Sequence, residues 1–327
     1  MSLNKIERTQ LQNITGLKDR YESAVITAAI TGDVMPSMSK YVASSPDKII
    51  AEAVAAARAG AAIVHIHGRE KDGRPSARPE ILSEIATGIR EQCDVVLNFT
   101  TGGSVTMTDD ERIGTLAAAR PEIGSLNIAT MNAEMFPDLD RSRRPIVNTQ
   151  WERDYIEATS DTVFENKLSS IRRYAAAFKE VGVTPEVEAF DISHIYTAKM
   201  LLDEGTLEGP IRLQLVLGVF AGIGRAVEDL IVMTQAAQRL LGPQLSTLAV
   251  AAVGYPMQLR AAAIGLSWGL DCRVGLEDSL RLTRDRMATS NAELVGAAVG
   301  IADAVGRPIA TPSDVRASLG PWGGKQA

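Results

Sequence analysis

From residue 24 onward the chain alternates between two hydrophobic patterns. Short runs rich in Val, Ile, Ala and Thr recur at 24–30, 62–67, 95–100, 124–129, 184–190, 212–217, 247–253 and 272–276, eight in all. Near-continuous apolar runs of this length read as strands covered on both faces. Between them lie longer segments with apolar residues at helical spacing, at 46–59, 79–92, 108–119, 162–181, 195–204, 226–241, 257–269 and 291–305. Ser45 and Ser290 precede two of these helices as N-cap residues, and Gly60, Gly182, Gly205, Gly242 and Gly306 stand where helices stop. Eight strand–helix pairs predict a (β/α)8 TIM barrel. An open sheet of eight parallel strands would be unusually wide, and no GxGxxG turn follows the first run. The expected organisation is an N-terminal arm at 1–23, one barrel domain at 24–319 and a tail at 320–327. The segment 131–160 is too long for an ordinary connection and reads either as a functional or subunit-contact loop on the catalytic face or as a plain surface excursion.

Composition narrows the class. Of 327 residues 45% are hydrophobic, enough for a large core, and the net charge of -6 leaves no basic footprint for nucleic acid. No apolar stretch approaches the roughly 20 residues of a membrane span. The two cysteines, Cys93 and Cys272, stand far apart with no CxxC pairing, which fits reduced thiols in a cytoplasmic enzyme. The arm and the long segment together suggest a homo-oligomer, a dimer or tetramer.

Two of the three histidines, His65 and His67, stand at i and i+2 in the run A-A-I-V-H-I-H, so a strand turns both imidazoles to one face. That arrangement offers a metal two nitrogen ligands. A third comes from the last strand, where period two places Arg273, Gly275 and Glu277 on one face and barrel closure brings strand eight beside strand one and so near strand two. Two histidines and a carboxylate leave an open position, which suits a Lewis-acid zinc. Gly275 is read as leaving room for a substrate. His194, without a spacing partner, is assigned a surface or substrate-rim position.

Other strand ends carry further candidates. Thr100, Gly102 and Gly103 form a hydroxyl and backbone N–H cradle for an anionic group, unless they are an ordinary Gly-rich turn. Ser125 and Asn127 share a face that can hydrogen-bond a substrate oxygen. Glu188 inside a barrel needs a cation to offset its desolvation, and Arg273 is the natural partner.

Taken in order, T-A-A-I-T-G-D at 27–33, V-H-I-H-G-R at 64–69, D-G-R-P at 72–75, T-T-G-G at 100–103, S-L-N at 125–127, E-V-E at 186–188, R-V-G-L-E-D at 273–278 and S-N-A-E-L-V at 290–295 resemble the β-keto acid cleavage enzymes, a family that includes the 3-keto-5-aminohexanoate cleavage enzyme. The resemblance runs from about residue 24 to 319 and is specific because the motifs arrive in sequence at strand ends.

The resemblance implies a zinc-dependent enzyme that takes a β-keto acid and acetyl-CoA and gives acetoacetate and a new acyl-CoA. It implies zinc on His65, His67 and Glu277, Asp278 as the base oriented by Arg273 and Glu188, and the keto acid held by Thr100, Gly102, Gly103 and Ser125. Asp278 beside Arg273 is expected to have a lowered pKa, which would make it a weak base. Two positions depart from the family. Where the aminohexanoate enzyme carries a glutamate for the substrate's amino group, this chain has Asp33, Val34 and Met35, and only Asp33 could pair with an ammonium. Where many members show G-x-G-R, this chain has Ala252-Val253-Gly254-Tyr255, and Arg225 beyond Gly222 and Gly224 is either a CoA phosphate contact or a surface charge. The same residues also admit a CoA-independent metal lyase or hydrolase, or a silent metal-binding barrel.

Overall fold

The structure is a computed structural model that describes residues 23–133, 147–159 and 161–320. Eight parallel strands close into a barrel. They are β1 (Ile26–Ala29), β2 (Ile63–Ile66), β3 (Val96–Thr100), β4 (Ile123–Asn127), β7 (Thr184–Ala189), β8 (Ile211–Leu217), β9 (Leu245–Ala252) and β10 (Asp271–Val274), with β5 (Met131–Asn132) and β6 (Val163–Phe164) forming a separate two-stranded pair. The strand β10 returns to β1, and β1 pairs with β2. This is the expected (β/α)8 barrel. The arm at 1–22 and the residues 321–327 of the tail lie outside the described residues.

The helices are α1 (Pro46–Arg58), α2 (Pro79–Arg90), α3 (Asp109–Ala119), α4 (Gln150–Thr159), α5 (Leu168–Val181), α6 (Ile192–Asp203), α7 (Val227–Leu241), α8 (Met257–Ser267), α9 (Asn291–Ala304) and α10 (Pro312–Ala317). Outward-facing strand residues such as Ile26, Val64, Ile66, Leu97, Phe99, Leu126 and Val187 pack with helix residues such as Ile49, Ile85, Phe178 and Leu294 into one continuous core. Each is almost fully shielded from water, at roughly 1.5–3 kcal/mol for a large side chain. Among the described residues no helix is long and apolar enough to cross a membrane.

Several local expectations are corrected. The segment expected to be helical from 162 begins as strand β6, and α5 starts only at Leu168, because Asn166 is held by Thr130 and Ala129 and accepts from Arg112. The long segment after β4 carries α4, whose Tyr155 and Ile156 pack with Met35 under Trp151 and Val105. A hairpin of β11 (Arg281–Thr283) and β12 (Arg286–Met287) follows β10. Ser290 caps α9 through the Glu293 N–H, but Ser45 makes no such cap and bonds Asp47 instead. The helix α10 closes the N-terminal end of the barrel, where Val315 and Leu319 pack with Ile63, Val96 and Ile123.

Candidate active site

Strand pairing places the chemistry. Ala29 on β1 is level with His65 on β2, and Thr27 is level with Arg273 on β10, so residues of the last strand reach the histidines across a single strand. The chain beyond β10 turns at once, with the Glu277 N–H donating to the Ala29 carbonyl at 3.3 Å. Two glycines make that approach possible. A side chain at Gly275 would overlap the Ala29 backbone, and one at Gly32, whose φ is 52°, would overlap the Glu277 side chain. Gly275 therefore makes room for β1, not for a substrate, which corrects the sequence reading.

His65 Nε2 lies 3.7 Å and His67 Nε2 3.5 Å from Glu277 Oε1. Ligand atoms from all three residues fall within 4.8 Å of one another. Two donors bound tetrahedrally at zinc distances stand about 3.3 Å apart, so the set fits with little movement. The donor chemistry fits as well. Glu277 Oε2 is buried without a hydrogen-bond partner, an orphan that a cation would satisfy. Burial, aided by Arg273 and His67 and opposed by Glu277, pushes His65 down to about 3, which keeps its imidazole neutral and able to ligate. Burial also acts to depress His67, but the Glu277 and Asp33 carboxylates lift it above the ordinary imidazole value.

Beside the trio one guanidinium gathers the carboxylates. Arg273 donates to both oxygens of Asp278, at 2.9 and 2.8 Å, to Glu188 Oε1 at 3.3 Å, and to Glu277. Glu188 Oε1 also accepts from Gln214 Nε2 at 3.0 Å. Burial raises Glu188 to about 7 against the pull of Arg273. Burial raises Asp278 as well, again opposed by Arg273. The lowered pKa expected for Asp278 is thus overturned: desolvation outweighs the ion pair, and the carboxylate is a stronger base than its neighbour suggested.

The Thr100 cradle is built differently from the expectation. Gly102 and Gly103 do not present free N–H groups; both donate to Thr100 Oγ1, at 2.9 and 3.3 Å, and Ser125 adds its hydroxyl at 3.4 Å. With its lone pairs engaged, the Thr100 hydroxyl is left to donate its own proton. Thr100, Gly102, Gly103 and Asn127 line the cavity, whereas Ser125 is buried behind Thr100. Asp33 lines it too, in the turn after β1, and accepts from the Tyr155 hydroxyl at 3.0 Å. His194 is not on the rim. It is buried in the first turn of α6, where Nδ1 accepts from the Phe190 N–H at 3.0 Å.

Sequence reasoning gave no role to four residues that hold the site. Arg69 is buried and donates to the Gly73, Gly32 and Val34 carbonyls, fixing the turn that carries Asp33. Gln214 orients Glu188, Tyr155 meets Asp33, and Asn98, level with His65 on β3, donates to Glu186 at 3.1 Å. Strand parity could have found Gln214 and Asn98, which share the inward face with Arg212 and Thr100. Nothing in the sequence points Tyr155 at the barrel.

His65, His67, Glu277, Arg273, Glu188, Asp278, Thr100, Asn127 and Asp33 line one cavity of about 590 Å³ at the C-terminal mouth of the barrel, the end where such barrels carry their active sites. Among solved structures the fold is similar to ObcA in complex with oxaloacetate, with a TM-score of 0.66, 20% identity and coverage of 86% of this chain and 68% of that one. The chain is 37% identical over 297 residues to the 3,5-dioxohexanoate:acetyl-CoA acetone transferase of Paraburkholderia graminis, covering 90% of this chain and 94% of that protein. It is 33% identical over 304 residues to the 3-keto-5-aminohexanoate cleavage enzyme of Acetoanaerobium sticklandii, covering 91% and 98% respectively. The family model for the beta-keto acid cleavage enzyme matches residues 23–320, and the chain belongs to that family.

Proposed function

We propose that the chain is a zinc-dependent transferase that condenses a β-keto acid with acetyl-CoA to give acetoacetate and a new acyl-CoA. The observation that carries this reading is the trio His65, His67 and Glu277, with an orphaned carboxylate oxygen, set against the Glu188–Arg273–Asp278 cluster. Zinc held there would act as a Lewis acid on the keto acid's oxygens, acidifying its C2 proton and stabilising enolate charge. Asp278 takes the C2 proton, and the carbanion attacks the thioester carbonyl of acetyl-CoA, expelling the CoA thiolate. The thiolate adds to the original keto carbon, the bond from that carbon to C2 breaks, and the new acyl-CoA forms. The departing acetoacetate carbanion recovers its proton from Asp278. Arg273 holds Asp278 in place, Glu188 fixes Arg273, and Thr100 and Asn127 donate to substrate oxygens.

On the Asp33 side the cavity is lined by Val34 and Val105, with Phe164 next to Gly102. Relatives act on differently substituted keto acids, and this apolar wall, with Asp33 already engaged by Tyr155, favours an uncharged side chain. Supplied with zinc and a panel of β-keto acids, the protein should consume them only when acetyl-CoA is present. Cleavage without acetyl-CoA would refute the reading, as would purified protein without stoichiometric metal by elemental analysis. We further place the protein in the cytoplasm, where Cys93 and Cys272 stay free, and as a homo-oligomer, a dimer or tetramer. Exposed Tyr196, Met200 and Val232 on α6 and α7 support the latter, and light scattering at monomer mass would count against it.

A further inference from the structure

The cavity has two unlike sides. The side next to β1, β3 and β4 is lined by Asp33, Val34, Thr100, Val105 and Asn127, all at least partly buried. The side formed by the loops after β8, β9 and β10 is lined by Phe220, Arg225, Tyr255 and Arg281, all exposed. Phe220 is 45% and Tyr255 40% accessible, so two aromatic rings stand bare at the rim.

Phe220 does not sit there for want of order. Its loop is closed on itself by the Gly218 N–H to Ile223 carbonyl and Gly222 N–H to Val219 carbonyl bonds, and pinned to the Phe190 carbonyl by the Ile223 N–H at 2.7 Å. Ala221 adopts a left-handed φ of 64°, strained for a residue with a side chain. The loop thus holds Phe220 outward at its tip.

The two arginines are equally unspent. Arg225 gives Nη1 to the Val253 carbonyl at 3.1 Å, and Arg281 gives Nη1 to the Arg284 carbonyl at 2.9 Å. Neither forms an ion pair among the described residues. Two uncompensated cations beside two bare rings, on a protein of net charge -6, match a ligand that combines phosphates with a flat base. The N-terminus of α7 nearby is not the anion site. Asp229 already accepts from the Ala226 N–H at 2.9 Å, and Glu228 and Asp229 in the first turn repel an anion.

We infer that the phosphorylated adenosine end of the acyl-CoA co-substrate lies across this rim, with its base against Phe220 and Tyr255 and its phosphates on Arg225 and Arg281. The pantetheine arm then passes Gly218 and Gly254 towards Asp278, and the keto acid occupies the β1–β4 side. This rests on the acetyl-CoA reading above and locates its second substrate.

The test compares kcat/KM for acetyl-CoA with that for acetyl-pantetheine, which lacks the nucleotide end. The ratio should fall about tenfold in Arg281→Gln and in Arg225→Gln, the loss expected for one charged hydrogen bond. It should fall several-fold in Phe220→Ala. Arg225 packs against two glycines and its replacement can disturb the loop; Arg281 lies in the open, so its variant decides. A ratio unchanged in Arg281→Gln and Phe220→Ala, or a matching rise in KM for the keto acid, overturns the location while leaving the reaction intact. Wild-type protein that ignores both thioesters overturns the functional reading itself.

Discussion

The barrel interior holds two buried charged layers, and they differ in arithmetic. In the lower one Glu186 faces Arg212 at 3.7 Å, one acid to one base, with Asn98 donating to the same carboxylate. Below it Val315 and Leu319 seal the barrel. In the upper layer Glu188, Glu277 and Asp278 all draw on the single guanidinium of Arg273, with His65 and His67 alongside. Three carboxylates share one arginine there, and burial raises Glu188 to about 7 and Asp278 as well, the response of a layer short of positive charge. The balanced layer serves the fold. The unbalanced one opens to substrate and is short of a cation, which the proposed metal would supply.

Breaking each layer should separate these roles. Asp278→Asn should lower turnover by about a thousandfold, within the range of a lost general base, while metal content measured by elemental analysis stays at the wild-type level. Glu277→Gln should lose both. Arg212→Met strands Glu186 and should cost about 3 kcal/mol of stability in denaturant unfolding, with kcat/KM of the folded fraction within a few-fold of wild type. If Arg212→Met cost turnover as heavily as Asp278→Asn, the two layers would not be functionally distinct.

The difference between the layers was partly legible in the sequence. The eight strands could be read because each is an apolar run of several residues whose inward positions keep a strict period of two. His65, His67 and Arg273 followed from that parity plus barrel closure; Glu277 meets them as expected, but from the turn beyond Val274 and not from a strand face. What escaped were elements too short for any period to register, β5 and β6 with two residues each and α10 with six, and the ten-residue α4, whose buried face carries the charged Glu152 beside Tyr155 and Ile156. The closing role of α10 depends on Val315 and Leu319 meeting strand residues over 190 positions away, which no local pattern encodes. The pKa of Asp278 was misjudged for a related reason. Its neighbour Arg273 is visible in the sequence, but the depth of burial that outweighs it is not.

Glu188 sharpens the comparison through pH. Its folded pKa is raised to about 7 from an ordinary 4.5, so the folded chain holds a proton that the unfolded chain releases between those values. The stabilisation is fully present below pH 4.5 and is lost as pH rises through 7. For this buried group the loss is about 3 kcal/mol. In metal-free protein, Glu188→Gln should remove this slope. Urea unfolding across pH 4.5 to 7.5, taken as the wild-type minus variant difference, reads it directly, and a flat difference would mean that Arg273 keeps Glu188 ionised throughout.

The smallest expected effect concerns how the excursion after β4 is attached to the mouth. The helix α4 reaches the barrel through apolar contacts of Tyr155 and Ile156 with Met35, and through polar contacts that include the Tyr155 hydroxyl on Asp33 and the Glu152 carboxylate, which accepts from the Ser37 N–H at 2.9 Å and the Ser37 hydroxyl at 2.6 Å. Burial raises the Asp33 carboxyl, opposed by the His67 and Arg69 charges and by the Tyr155 hydroxyl. Removing the hydroxyl in Tyr155→Phe should therefore cost about 1 kcal/mol and leave α4 in place, because its apolar contacts remain. Asp33, freed of its donor, becomes easier to protonate and turns to the cavity, where it faces the keto acid's side chain. The expected result is a two- to fivefold change in KM for the keto acid with kcat and metal content held, and Asp33→Asn should abolish the difference between Tyr and Phe at 155. Equal loss of kcat in Tyr155→Phe would instead make α4 part of the catalytic layer, and the division between supporting and reacting residues at the mouth would have to be redrawn.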